Sequence, residues 1–429
     1  MNTTGLKNDN IVALVDCNNF YVSCERVFNP KLNNKPVAIL SNNDGCIVSR
    51  SQEIKDLKIP MGAPGFKYEA LIKKNGGTLL SSNYALYADM SSRVMEVLAM
   101  FSPDIEIYSI DEAFLGFNGF KTRNLAEFGN KIKRTVFQWT GIPVSVGISK
   151  TKTLAKVANH FAKRYSAFKG SLCLLNDERI ANALAKTPVS EVWGIGRQYD
   201  KFLRQNKIET ALQLRDADDK FIDHYLTSTG LKTVLELRGY SCIDLDDAPI
   251  SKKSIVTSRS FGKQVSELSE LQEAVSEYVT RAAEKLRKQN CVAGLLIVFL
   301  STNRFKEGPQ YNNSLSTTLF PPTAYTPDLI EKALNLLEEL FLPGFEFKKA
   351  GVMLADIIPE KDVPLSFMEV NYLDDKRKKL METVDKLNRI YGQDTLFYAS
   401  NGIKKDWKMR RAKLSPHYTT NWNDLPKVK

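Results

Sequence analysis

Two short apolar runs in this chain each end in acid. Ile11-Val12-Ala13-Leu14-Val15 stops at Asp16, and Ile105-Glu106-Ile107-Tyr108-Ser109-Ile110 stops at Asp111-Glu112. A carboxylate at the tip of a buried strand costs free energy unless it is paired or holds a metal. Two such tips, far apart in sequence, call for adjacent strands that hold a pair of hard divalent cations between their ends. That arrangement suits metal-assisted phosphoryl transfer. Taken singly, Asp16 equally suits a turn cap with Asn18, and Asp111-Glu112 a solvated hairpin tip. In a straight strand the last two side chains face opposite ways, so both reach one site only if the backbone bends there.

The chain has 429 residues, which implies three or four domains. Apolar residues make up 43% and charged residues 25%, as expected of a globular chain with no run near the ~20 apolar residues of a membrane span. Residues 1–10 lack the basic start and apolar stretch of a signal peptide, so a cytoplasmic location is expected. Six cysteines contain no Cys-x-x-Cys pair and only three histidines exist. Zinc sites, disulfide frameworks and His-based nucleophilic catalysis therefore have little support. Any catalytic metal should be hard and oxygen-bound, magnesium or else manganese. The net charge of +11 points to a polyanionic partner. From residue 361 onward, 15 Lys/Arg face 9 Asp/Glu, so the last sixth of the chain carries more than half of that excess.

The first 175 residues read as α+β. A strand over 11–20 leads into a Gly/Pro-rich, loop-rich lobe with a strand at 36–40 and a helix at 52–57. A helix follows at 87–101, then a hairpin at 104–118, a helix at 125–139 and a strand at 144–148. Short helices occupy 175–242. A polar stretch at 246–253 reads as a linker. After it come strands at 255–259, 292–300 and 314–319 and helices at 267–288 and 327–340, a separate α+β module. The last 70 or so residues are the least patterned.

Ser149 reads as the N-cap of a helix after a strand, a place for anion contacts. At ~100° per residue, Lys152, Lys156 and Lys163 fall within about 40° of one another, opposite Leu154, Val157, Ala158 and Phe161. A solvated lysine face would look the same, but this helix carries no acid, which favours phosphate binding. Val192-Trp193-Gly194-Ile195-Gly196 lies between a short helix at 188–192 and another at 197–206. Glycines there let backbone N–H groups approach phosphate beside a helix N-terminus, as in a helix-hairpin-helix element. Gly194 and Gly196, with Lys152 and Lys156, are therefore candidate DNA contacts. Tyr21 suits core packing, or the floor of a nucleotide's sugar if Asp16 holds a metal. The acids alone also suit a nucleotide cyclase-like palm or a non-catalytic DNA-binding scaffold.

Asp16-Cys17-Asn18-Asn19-Phe20-Tyr21, Ser109-Ile110-Asp111-Glu112-Ala113-Phe114 and Val146-Gly147-Ile148-Ser149-Lys150-Thr151-Lys152 resemble successive motifs of the Y-family DNA polymerases. Ser41-Asn42-Asn43-Asp44-Gly45-Cys46 and Ala412-Lys413-Leu414-Ser415-Pro416 resemble its UmuC branch, and the likeness covers nearly the whole chain. It implies an α+β multidomain right hand: palm at 1–20 and 87–174, fingers at 21–86 and a helical thumb with the helix-hairpin-helix at 175–242. A linker at 243–253, a little finger at 254–357 and a partner-binding tail at 358–429 complete it. It implies that Asp16 and Asp111 bridge two Mg2+ ions, that the Cys17 carbonyl is a further ligand, and that Glu112 completes the site at the primer 3′-hydroxyl. Tyr21 becomes a steric gate against a ribose 2′-hydroxyl, and Arg50, Lys55 and Lys163 become triphosphate contacts. Ser51-Gln52-Glu53-Ile54-Lys55 departs from the Tyr-x-x-Arg of many members, so the counterpart of that tyrosine stays open.

The implied activity is low-fidelity translesion synthesis in the SOS response, without proofreading, on primer-template DNA with dNTPs. The implied partners are an UmuD′-like dimer, a recombinase filament and a sliding clamp, at the bacterial nucleoid. Leu365 and Phe367, in a Pro-Leu-Ser-Phe-Met segment lacking the usual glutamine, are the candidate clamp contacts.

Overall fold

The computed structural model describes residues 10–119, 124–245, 252–363 and 375–426. The chain forms two compact units. One comprises Met1–Ser41, Gly45–Pro249 and Lys413–Lys429; the other comprises Asn42–Asp44 and Ile250–Ala412.

In the first unit, β1 (Val12–Cys17) is buried at every position because it is the middle strand of five. β6 (Glu112–Gly116) and β7 (Val144–Ser149) flank it, both antiparallel. β5 (Ile105–Ile107) and β8 (Ser171–Leu174) form the edges. Side chains along β1 alternate between two cores, as the pleat requires. Ala13, Val15 and Cys17 join α1 (Phe20–Phe28), α4 (Tyr84–Ala99) and α5 (Leu125–Thr140). Val12 and Leu14 meet Phe114 and Ala155, the latter on α6 (Lys152–Arg164). Asp16 continues the second series, so its carboxylate emerges on the α6 side.

A smaller sheet orders β3 (Ile47–Arg50), β2 (Val37–Leu40) and β4 (Thr78–Ser81), with α2 (Gln52–Asp56) and α3 (Gly65–Lys74) beside it. Its own core gathers Ala38, Leu40, Ile47, Ile54, Ile72 and Leu79. Residues 177–237 are helical: α7 (Asp177–Lys186), α8 (Arg197–Gln205), α9 (Ala211–Arg215) and α10 (Asp219–Leu237).

In the second unit, β9 (Ile255–Val265), β10 (Cys291–Thr302), β11 (Asn312–Thr323) and β12 (Phe347–Pro359) form an antiparallel sheet ordered β11-β10-β12-β9. α11 (Leu268–Arg287) and α12 (Thr326–Leu340) share its core. β12 was not foreseen, although it is an inner strand. From the segment that looked least patterned, residues 375–412 fold here too. α13 (Asp375–Tyr391) is tied to α11 by a two-bonded Arg287–Asp385 pair at 2.7 and 2.8 Å, and Trp407 is buried against Phe261 and Tyr278.

Three local expectations are corrected. α4 starts at Tyr84 rather than 87, capped by Asn83, whose side-chain oxygen accepts the Leu86 N–H. The cap of α6 is Thr151, not Ser149, which ends β7 and donates its hydroxyl to the Leu174 carbonyl. The short helix before the Gly194 turn is a single 3-10 turn, Val189–Glu191.

α6 lies on β7 at Gly147, where an added Cβ would stand 2.2 Å from the Asn159 nitrogen and 2.4 Å from the Ala155 oxygen. Both atoms are backbone, so neither can swing aside. Gly147→Ala should push α6 off the sheet and lower stability by at least ~1–3 kcal/mol, read as a drop in the urea midpoint. An unchanged midpoint would contradict this packing.

Candidate active site

The antiparallel register sets Asp16 directly opposite Glu112. The bend that the sequence demands is present before β6. The Tyr108 and Ser109 N–H groups both donate to the Glu112 carbonyl at 3.1 Å. The Ser109 hydroxyl accepts the N–H groups of Asp111 and Glu112 and donates to Asp111 Oδ1 at 2.7 Å. Asp111 is thereby held out of the strand, and its carbonyl accepts the Cys17 N–H at 2.8 Å.

Asp16 and Glu112 share a hydrogen bond between their carboxyl groups. Each also has a lysine from α6: Lys163 pairs with Asp16, and Lys156 with Glu112 at 2.9 Å. Burial pushes the Asp16 carboxyl up to about 7, with Lys163 opposing and Glu112 adding to the shift. Burial acts on Glu112 as well, but the hydrogen bond with Asp16 and the Lys156 ammonium outweigh it and hold that carboxyl below its ordinary value. Asp111 lies close enough to raise both the Cys17 thiol and the Tyr21 phenol, in each case after burial.

Largely buried carboxylates with ammonium counter-charges provide the hard oxygen donors that a magnesium-like cation takes. The donor set fits that chemistry. Among the described residues, no group of three or more His, Cys, Asp or Glu side chains converges on a metal-binding arrangement. Asp16 and Glu112 are thus brought together directly, and Asp111 is joined to them through backbone.

The three expected triphosphate cations gather beside these acids. Burial holds the Lys55 ammonium below its ordinary value, and the nearby Arg50 and Lys163 charges add to the effect, while Asp16 opposes it. Lys55 Nζ donates to Asn19 Oδ1 at 2.7 Å, and Arg50 Nη1 donates to the Ile59 carbonyl at 2.6 Å. Tyr21, on the first turn of α1, stacks on Tyr87 with ring centroids 4.3 Å apart and planes 12° from parallel. Tyr84 meets both rings edge-on at 6.4 Å.

Two expected DNA contacts are corrected. Lys152 is only 2% exposed, and its ammonium is engaged by Glu106 and by the Asp244 carbonyl at 2.6 Å. Lys156 is enclosed by the rings of Tyr108, Phe114 and Trp193, at 4.6, 5.7 and 5.5 Å, besides Glu112. A buried charge needs a partner. The partners here are palm acids, so the lysine face of α6 turns inward. Gly194 has φ +90°, and Gly196 caps α8 with no atom within 4 Å of its Cβ position and no side-chain cap. Leu365 and Phe367 lie outside the described residues. Sequence reasoning missed Glu25, an acid 1% exposed on α1, whose Oε1 accepts the Tyr87 hydroxyl at 2.8 Å. Its place four residues after Tyr21, among Val22 and Cys24, was the available signal.

Residues 15–160 match the impB/mucB/samB family, residues 252–367 its C-terminal domain, and residues 378–428 a domain of unknown function (DUF4113). Protein UmuC of Salmonella typhimurium is 43% identical over 420 residues, 97% of this chain and all of that protein. The chain belongs to the impB/mucB/samB family of Y-family DNA polymerases. Protein ImpB of Salmonella typhimurium is 41% identical, across 96% of this chain and 98% of that protein. DNA polymerase IV of Brucella melitensis is 23% identical, across 89% and 83%. The fold is that of a solved Y-family DNA polymerase chimera, Dbh-Dpo4(243-245)-Dbh, with a TM-score of 0.65 and 21% identity, covering 81% of this chain and 99% of that one. Y-family membership makes this chain a metal-dependent, translesion-class DNA polymerase of the SOS response. It sets aside the cyclase-like and scaffold readings. Among the described residues, no helix is long and apolar enough to cross a membrane.

Asp16 sets a pH dependence. Its folded pKa, about 7, exceeds the ordinary 3.8, so the folded state retains a proton that the unfolded state has lost. Stability without metal should therefore be full near pH 4 and decline as pH rises to 7. Asp16→Asn should abolish that decline and raise stability at pH 8 by up to roughly 4 kcal/mol, with little gain at pH 4. Melting curves of the metal-free Y-family protein at both pH values test this, and equal gains would contradict it.

Proposed function

We propose that this chain extends a DNA primer across damaged template by nucleotidyl transfer at Asp16, Asp111 and Glu112. The observation that carries the reading is the meeting of three cations from three elements, Arg50, Lys55 and Lys163, beside a carboxylate pair at a strand end. A cluster of like charges that raises its own cost is matched by a polyanion such as a triphosphate.

In this reading Asp16, Asp111, Glu112 and the Cys17 carbonyl would hold two Mg2+ ions, with Mn2+ as a substitute. Such ions would supply charge neutralisation on the phosphates and a lowered pKa at the primer hydroxyl. Glu112 faces that hydroxyl and orients it for in-line attack. Lys163, which pairs with Asp16 here, would turn with Arg50 and Lys55 to the triphosphate. The Tyr21 ring lies under the sugar, where a 2′-hydroxyl would strike it. The Gly194-Ile195-Gly196 turn and the uncapped start of α8 contact DNA phosphates through backbone N–H groups, without reading sequence.

The palm, fingers, thumb, linker, little finger and tail follow the boundaries given above. An UmuD′-like dimer, a recombinase filament and a sliding clamp are the proposed partners, with Leu365 and Phe367 on the clamp, and the proposed setting is the nucleoid.

Primer extension with magnesium on intact and abasic templates tests the whole reading. Asp111→Asn and Glu112→Gln should each abolish incorporation while primer-template affinity stays within a few-fold; synthesis retained by Asp111→Asn would remove the metal assignment. Tyr21→Ala should admit ribonucleotides, and unchanged sugar discrimination would remove the gate.

A further inference from the structure

The last described stretch of the chain, residues 413–426, folds with the first unit. It does so at the two helices that carry the Tyr21 stack. Lys413 bonds to β4 at both ends of its peptide unit: its N–H donates to Ser81 Oγ at 3.0 Å, and its carbonyl accepts the Ser81 N–H at 2.9 Å. Its ammonium pairs with Glu69 at 2.7 Å. Tyr418 stacks on Phe28, at the end of α1, with planes 6° from parallel and centroids 5.0 Å apart.

Between these anchors lies Ser415, 8% exposed. Its hydroxyl donates to Glu25 Oε1 at 3.0 Å, the same oxygen that accepts the Tyr87 hydroxyl at 2.8 Å. Asn83 Nδ2 donates to Ser415 Oγ at 3.0 Å and to the Pro416 carbonyl at 3.1 Å, while the other end of that amide caps α4. One relay therefore runs from the α4 cap through Ser415 and Glu25 to Tyr87, the ring on which Tyr21 is stacked. Glu25 and Tyr87 are both enclosed in the intact chain.

We propose that Ser415 is a positioning residue for sugar selection: the C-terminal segment locks Tyr87 through Glu25 and so fixes the height and tilt of the Tyr21 ring. The inference rests on the gate assigned to Tyr21 and gives a task to part of the region that matches a domain of unknown function. Losing one donor to a buried carboxylate leaves Tyr87 free to shift along Glu25 without emptying the core. Sugar choice should suffer before dNTP use does.

The test is the ratio of ribonucleotide to deoxynucleotide incorporation in the full chain. Ser415→Ala should raise it by about five- to tenfold, the scale of one ordinary net hydrogen bond, with dNTP incorporation unchanged. Tyr87→Phe should do the same. In a Tyr21→Ala background Ser415→Ala should add nothing, because the ring through which it acts is gone. A chain ending at Ala412 gives the full effect of the segment. If Ser415→Ala and that shortened chain both keep the parent ratio, or if both sugars lose incorporation in proportion, the proposal is overturned. If Tyr21→Ala relaxes discrimination but Ser415→Ala does not, the gate stands and only the C-terminal role fails. If Tyr21→Ala changes nothing, the gate reading itself fails, and with it the route proposed here.

Discussion

The antiparallel register of β1 between β6 and β7 places Asp16 opposite Glu112 and, through the alternation of the pleat, on the side of the sheet where α6 lies. A slip of one residue would turn that carboxylate into the apolar cluster of Ala13, Val15 and Cys17. The register is protected because β1 is buried on both faces and paired along both edges. Gly147 then lets α6 lie directly on β7, which brings Lys156 and Lys163 within reach of the two acids. The candidate active site of this Y-family polymerase therefore depends on sheet register first and on helix approach second.

The lysines of α6 give that site its electrostatic logic. Burial is the main cause of the raised Asp16 carboxyl, and the neighbouring Glu112 carboxylate adds to it. Lys163 and Lys156 each supply one positive charge where a divalent cation supplies two. The site is balanced by charge and not by apolar packing, which is what the proposed exchange of ammonium for metal requires. The enclosure of Lys156 by three rings gives that lysine a second hold, independent of Glu112.

What the sequence made legible was local. The acid-tipped strands, the bend at Ser109 to Glu112, and the helices over 125–139 and 267–288 each carried their own periodicity or turn chemistry. The direction of the lysine face was not legible. Helical spacing groups Lys152, Lys156 and Lys163, yet it cannot say whether their side faces solvent or a sheet. The partners Glu106 and Glu112 lie 46 and 44 residues away along the chain. β12 escaped because Lys348-Lys349 at its start and Asp356 near its end mask an apolar centre. Ser415 lies in a segment that resembles the UmuC branch, but its partner Glu25 is 390 residues distant, so nothing local marks the bond.

That long bond changes how the small aromatic floor of the site is understood. A ring that excludes a single hydroxyl must be held to within a fraction of the size of that hydroxyl. Tyr21 is half-exposed, so its own packing restrains it weakly; its rigidity has to come from what lies beneath. Tyr87 is fully buried and hydrogen-bonded, and it stacks face to face with Tyr21. Glu25 is worth burying on α1 only if donors surround it, because a lone buried carboxylate would be destabilising. Two of those donors come from different parts of the chain, α4 and the C-terminal segment. The precision of the proposed gate and the docking of the segment thus share one oxygen atom, and loosening either side should loosen the other.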